Sequence, residues 1–212
     1  MNRINLLQSV WESGAWLMCD IVALSYPLKL TPQSKTLYRN FLESLTTMLP
    51  SHEARTKYLN YDKKFKQWEH ALVSRQSLVE WLTTVKNTIK VNPNIIYTVA
   101  NFYNCYKDKK VGIVELDKIF LFVESFCLSC TNEIPEKVGL NFTNFIALLP
   151  YLNLEEEVIE NIKDYFAKNV LDDNILTSKC ELTIWVIGLH NRIRKLYNKN
   201  NFRIEDLLAI YQ

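Results

Sequence analysis

"SRQSLVEWLTTVKNTIKV", Ser74 to Val91, reads as a helix from its first residue. Ser74 is of the N-cap type, and Leu78, Trp81, Leu82, Val85 and Ile89 recur at the three- and four-residue spacing that gathers apolar side chains on one helical face. Pro93 closes the segment. The same frame returns further on: Ser74, Leu78, Trp81, Asn87 and Ile89 reappear as Ser178, Leu182, Trp185, Asn191 and Ile193, each 104 positions later. A repeat of this length implies two related units, residues 1–100 and 101–212, packed together as an internal pseudo-dimer.

Outward from that stretch the pattern stays helical. Leu6, Val10, Trp16, Ile21 and Leu24 make a first helix that Tyr26-Pro27 should end near Ser25, because proline disfavours helix in the residue before it. Thr31-Pro32 reads as N-cap and first helical residue of a second helix running to Leu49, with Leu37, Phe41, Leu45 and Met48 on one face. A third segment spans Ser51 to about Lys66. "NFLESLTTMLP" and "NFTNFIALLP" both end in Leu-Pro, at Leu49-Pro50 and Leu149-Pro150. Their offset of 100 suggests a four-residue insertion in the loop that follows. With only four glycines and six prolines in 212 residues, turns and strands are scarce, and the fold class is all-α.

Composition narrows the function. At 48% hydrophobic and 23% charged residues the chain is a soluble globular protein rather than a disordered one. A net charge of +2 gives no clustered basic face for nucleic acid; Lys63, Lys64 and Lys66, then Lys107, Lys109 and Lys110, then Arg192, Arg194 and Lys195 read as solvated surface. No apolar run reaches the ~18 residues that span a bilayer. The opening stretch, with Glu12 inside it, resembles neither a secretory signal nor an Arg-rich transit peptide, so the expected location is intracellular. Cys19, Cys105, Cys127, Cys130 and Cys180 are odd in number and scattered, which is not a secreted disulfide framework.

The stretch from Leu49, "LPSHEARTKYL", carries the functional question. Together with "WESGAWLMCDIVALSYP" and "WLTTVKNTIKVNP" it resembles the Erv/ALR family of FAD-linked sulfhydryl oxidases, small helical bundles that make disulfides and pass the electrons to oxygen. Trp11, Trp16, Tyr26, Pro27, Leu49, Pro50, Arg55, Tyr58, Trp81 and Asn87 agree with the family pattern. Asp20, Lys57 and Lys86 stand at its histidine positions, and Ser51 and Ala54 where it has its two redox cysteines. The second unit keeps His190, Asn191, Ile193 and Lys199 but has no cysteine after Leu149-Pro150. Asparagine, lysine and isoleucine are abundant, as an AT-rich genome gives, and that fits many large DNA viruses.

The resemblance implies two tandem bundles of four to five helices. It also implies an FAD site in which Trp16, Tyr26, Asn87, His190 and Asn191 contact the flavin nucleotide and Lys199 faces its pyrophosphate. Thiol oxidation needs a thiolate and a second sulfur to deliver electrons to the flavin. Ser51 and Ala54 supply neither, so the expected protein is redox-inactive, holds FAD weakly or not at all, and acts through a protein partner: another sulfhydryl oxidase, its substrate, or a second copy of this chain. The alternative is an active FAD-linked oxidase. It would be either an altered form of a parent reading Cys-His-Glu-Cys-Arg or an enzyme using Cys127 and Cys130 as a relocated pair. A third reading is an unrelated helical adaptor that mimics the motif by chance. Cys127-Leu-Ser-Cys130 as two core thiols is the plain competitor. A zinc site is not expected, since no second ligand pair accompanies it, and Ser51 with His52 makes no hydrolytic triad. His52 and His70 are expected at the surface.

Overall fold

The computed structural model describes residues 3–65, 68–90, 94–106 and 111–210. Pro93, Lys66, Lys107, Lys109 and Lys110 lie outside them, as do the side chains of Lys63, Lys64 and Cys105. Six helices form the first half: α1 (Arg3–Ser25), α2 (Pro32–Met48), α3 (His52–Phe65), α4 (Trp68–Ala71), α5 (Arg75–Ile89) and α6 (Val99–Tyr106). Six more follow: α7 (Ile113–Ser129), α8 (Glu136–Ile146), α9 (Glu156–Lys168), α10 (Asp173–Thr177), α11 (Lys179–Leu196) and α12 (Ile204–Ile210), with a 3-10 turn over Leu149–Tyr151. The protein is all-α. Among the described residues there is no strand, only an isolated bridge between Glu133 and Ser178.

The local signals act as their chemistry requires. α1 stops at Ser25, before Tyr26-Pro27. Thr31 caps α2 by accepting the Ser34 N–H, Ser34 returns the bond, and Pro32 takes the first turn, where its missing N–H costs nothing. Ser74 and Ser178 cap α5 and α11 through Ser77 N and Glu181 N.

Helix starts recur at a fixed distance: Pro32 and Glu136, His52 and Glu156, Arg75 and Lys179 are each 104 apart. This corrects the expected loop insertion after Leu149-Pro150, since the spacing is the same on both sides of it. The second Leu-Pro instead comes one turn early, so α8 ends at Ile146 and a 3-10 turn replaces the last turn of its counterpart. Four residues nearly complete a 3.6-residue turn, so the apolar face fits either register and the sequence alone could not choose.

α1 packs most extensively on α7 and α2 on α8, while α5 covers α1 and α11 covers α7. One continuous apolar core runs from Trp11 to Ile193. Gly14 lets α1 and α7 approach closely, because a Cβ there would collide with the Lys118 carbonyl. Phe41 stacks on Phe145 with ring centroids 5.2 Å apart, joining α2 to α8.

Candidate functional site

Pro50 interrupts the chain between α2 and α3, and the turn is then closed by its neighbours. Ser51 Oγ accepts the Ala54 N–H at 3.3 Å, and Arg55 Nη1 donates to the Leu49 carbonyl at 2.7 Å and the Pro50 carbonyl at 3.2 Å. The Tyr58 hydroxyl donates to the Leu42 carbonyl at 2.7 Å. Ser51 is 7% exposed and Ala54 fully buried. A helix N-terminus carries partial positive charge and favours a thiolate, so this is a good place for a reactive sulfur. A serine hydroxyl and an alanine methyl here can neither store electrons nor form a disulfide. At the equivalent start of α9 stand Glu155 and buried Val158, again without sulfur.

The residues expected to face a flavin are engaged inside the fold. Asn87 donates to the Tyr97 carbonyl at 2.8 Å and accepts the Tyr97 N–H at 3.0 Å. Asn191 makes the same pair with Phe202, at 2.8 and 2.6 Å. Trp16 is buried and donates Nε1–H to Glu12 at 2.9 Å. Tyr26 is buried with its hydroxyl on the Leu72 carbonyl at 2.6 Å, and its own carbonyl receives the Arg75 guanidinium at 2.7 and 3.0 Å. Lys199 is exposed on the turn after α11, next to Asn198 in the left-handed region (φ 53°), and its amide closes the helix on the Arg194 carbonyl. The structure thus gathers His190 and Asn191 near α12 and Trp16, Tyr26 and Asn87 in the first half, but as packing and clamping groups.

Sequence reasoning missed the charges that complete these positions. Lys86 pairs with Asp20, and His190 Nδ1 pairs with Glu124 at 2.7 Å; both pairs join residues 66 apart in the chain. The signal was present, since Asp20 and Lys86 both stand where the resembled pattern has histidine and are oppositely charged. His190 is 1% exposed, bonds Asp117 through Nε2 at 2.8 Å, and stacks on Phe120 at 4.6 Å. Arg194 in turn reaches Asp117 at 2.7 Å. Burial opposes a charged imidazole, but hydrogen bonds and charges from Asp117 and Glu124 outweigh it and raise the His190 pKa. Burial likewise opposes an ionised Asp117, yet His190 and Arg194 hold its pKa below the ordinary value. Glu124 is raised, with burial the largest cause.

Cys127 and Cys130 are free thiols at the C-terminal end of α7, where the helix dipole disfavours an anion. Cys127 is fully buried, and burial pushes its pKa well above ordinary. Cys130 is half-buried and pushed up to about 11, burial again dominating over the nearby cations Lys179 and Arg55. Its sulfur lies 3.4 Å from the Phe126 carbonyl. His52 and His70 are exposed, as expected. Among the described residues no cluster of metal-ligating side chains occurs, and no helix is long and apolar enough to cross a membrane.

FAD would need hydrogen-bonding groups turned toward it, and in this arrangement both ends of the Asn87 and Asn191 amides and both His190 nitrogens serve the fold.

What the fold and site define is an all-helical bundle whose Leu49-Pro50 turn is closed by Ser51 and Arg55 and holds no sulfur at residues 51 and 54. In sequence the chain is 30% identical over 79 residues to a probable FAD-linked sulfhydryl oxidase of Acanthamoeba polyphaga mimivirus, a match covering 37% of this chain and 55% of that protein. The chain therefore spans about half the length of this relative. The match supports a relationship to the Erv/ALR-like sulfhydryl oxidases of viruses. No family model matches, and no solved structure matches.

Proposed function

We propose that this sulfhydryl-oxidase-like chain does not oxidise thiols, holds FAD weakly or not at all, and works through protein–protein interaction. The observation that carries this is the pair Ser51 and Ala54 at the start of α3, where the turn is intact and the sulfurs are absent. The internal satisfaction of Asn87, Asn191 and His190 supports the loss of the cofactor. The partner in this reading is another sulfhydryl oxidase or a substrate of one. We also infer that residues 1–100 and 101–212 are two related units forming an internal pseudo-dimer, supported by the constant spacing of helix starts and by the pairing of α1 with α7 and α2 with α8.

The visible spectrum of the purified protein, with and without added FAD, tests the reading together with thiol-dependent oxygen consumption. A colourless protein at the background rate is expected. A bound yellow flavin with thiol-dependent oxygen uptake would overturn it. One observation favours a second reading as an active FAD-linked oxidase: Cys130 lines a surface cleft beside Arg55, near the empty turn. In that case Cys127→Ser must abolish the oxygen consumption. The raised pKa of both thiols weighs against it.

A further inference from the structure

Two open clefts meet at Arg55. One, about 480 Å³, runs along Trp11, Ser51 and Leu128; the other, about 330 Å³, runs along Thr47, Ile134 and Val138; both are lined by Arg55 and Ser129. Together they form a groove between the start of α3 and the end of α7. Its lining mixes apolar side chains, among them Trp11, Leu128, Ile134 and Val138, with the hydroxyls of Ser51, Thr47 and Ser129. Arg55 is half-buried, is held in place by its bonds to the Leu49 and Pro50 carbonyls, and forms no ion pair with a carboxylate among the described residues. The one acidic side chain on the groove, Glu53, is already paired with Lys57 at 2.7 Å.

The molecule carries its own comparison. A cleft of about 450 Å³ lies at Ser25, Pro27, Thr31 and Ser34, with Tyr151 facing them. Each of those residues stands 104 positions from one lining the Arg55 groove: Ser129, Thr131, Pro135, Val138 and Thr47. Among the described residues no cation lines the twin. The Ser25 hydroxyl is taken by the Asn153 N–H at 2.7 Å, and Ile159 stands where Arg55 would be. The cleft is therefore common to both halves, while the positive charge belongs to one.

We propose that the Arg55 groove binds an extended segment of a partner protein that places a glutamate or aspartate on Arg55 and apolar side chains in the clefts on either side. A guanidinium fixed by carbonyls is pre-organised for a carboxylate, and a charge-assisted bond in a partly dry groove is stronger than an exposed one. A small free anion would leave the apolar walls unused, whereas an extended segment can set a carboxylate on Arg55 and reach both clefts with the side chains on either side of it. This deepens the interaction role proposed above and rests on it.

The experiment uses the full chain and a panel of capped, fluorescent nonapeptides with a central glutamate flanked by leucine, valine and serine, each matched by a glutamine version. Fluorescence anisotropy should show the glutamate peptides binding about tenfold or more tightly than their glutamine partners, as hydrogen bonds to charged groups warrant, and losing affinity as salt is raised. Arg55→Met should abolish the difference. Because Arg55 also closes the turn, Ser129→Glu provides a second arm: it leaves the carbonyl bonds intact, places a carboxylate in the groove, and should lose peptide binding with the melting temperature retained. Tyr151→Glu in the twin cleft should bind like the wild type. Equal binding of both peptide types, no binding by any peptide, or unchanged binding by Ser129→Glu would each overturn the inference. A flavin-loaded, thiol-oxidising protein would instead overturn the proposed function and leave the peptide result standing.

Discussion

Phe41 stacks on Phe145, and the two residues occupy the same register position, 104 apart, in the two halves. Gly14 and Lys118, which meet where α1 crosses α7, stand in the same relation. Self-pairing of residues at one register position is what the proposed pseudo-dimer would produce at its two-fold axis. Both rings are fully buried, so Phe41→Ala and Phe145→Ala should each cost ~3–5 kcal/mol in chemical denaturation. A double-mutant cycle should return a coupling of ~0.5–1.5 kcal/mol, the value of an aromatic pair beyond its burial. Strict additivity would mean that the rings do not share one site.

At Gly14 the obstacle is backbone rather than a movable side chain. Gly14→Ala should therefore destabilise the protein by ~1–3 kcal/mol, against the usual gain from alanine in a helix. Thermal unfolding of the variant decides this. An unchanged or raised melting temperature would show that α1 and α7 are not in close contact there.

Placing sulfurs at residues 51 and 54 separates the turn from the reaction. With Ser51→Cys and Ala54→Cys together, thiol titration before and after reduction should show a new disulfide at the start of α3, because the turn is already formed by Leu49, Pro50 and Arg55. The doubly substituted protein should still lack a flavin spectrum, since Asp20 and Lys86 remain paired with each other. If it turns yellow and consumes oxygen, the proposed inactivity rests on those two side chains alone.

The buried cluster on α7 and α11 gives a pH dependence with a definite sign. The folded-state pKa of His190 is raised above 6.5, so its contribution to stability is full below that value and is lost as pH rises through the raised pKa. Asp117 is lowered from 3.8, so its contribution is present above that value and is lost as pH falls through the lowered pKa. Melting temperature should thus decline on going from just below pH 6.5 to alkaline conditions, and His190→Gln should remove that part of the profile. A variant profile parallel to the wild type throughout would show that His190 does not titrate with folding.

Alkylation should follow burial. Among the four cysteines whose side chains are described, Cys180 is exposed and should react first with iodoacetamide, Cys130 slowly, and Cys19 and Cys127 only on unfolding. Mass mapping of the modified peptides over time gives the order. Rapid modification of Cys127 or Cys130 in the folded protein would revive them as a reactive pair.

Much of the fold was legible because it is local. Caps at Thr31, Ser74 and Ser178, the stop before Pro27, and apolar faces at helical spacing are all written within a few residues of where they act. The candidate site was less so. Trp16, Tyr26, Asn87 and His190 are the right residue types for a flavin site, and only their actual partners show that hydrogen bonds to Glu12, Leu72, Tyr97, Asp117 and Glu124 occupy them.

The sequence by itself determined the helical class, the helix ends, and the absence of sulfur at Ser51 and Ala54, since each depends on the covalent nature of a residue or its near neighbours. The tertiary structure alone decided that His190 meets Glu124 and Lys86 meets Asp20, that Phe41 lies on Phe145, and that Arg55 stands where two clefts join. Those facts depend on how helices distant in the chain cross. A turn of 3.6 residues leaves several registers equally apolar, and only close packing and the pairing of buried charges select one.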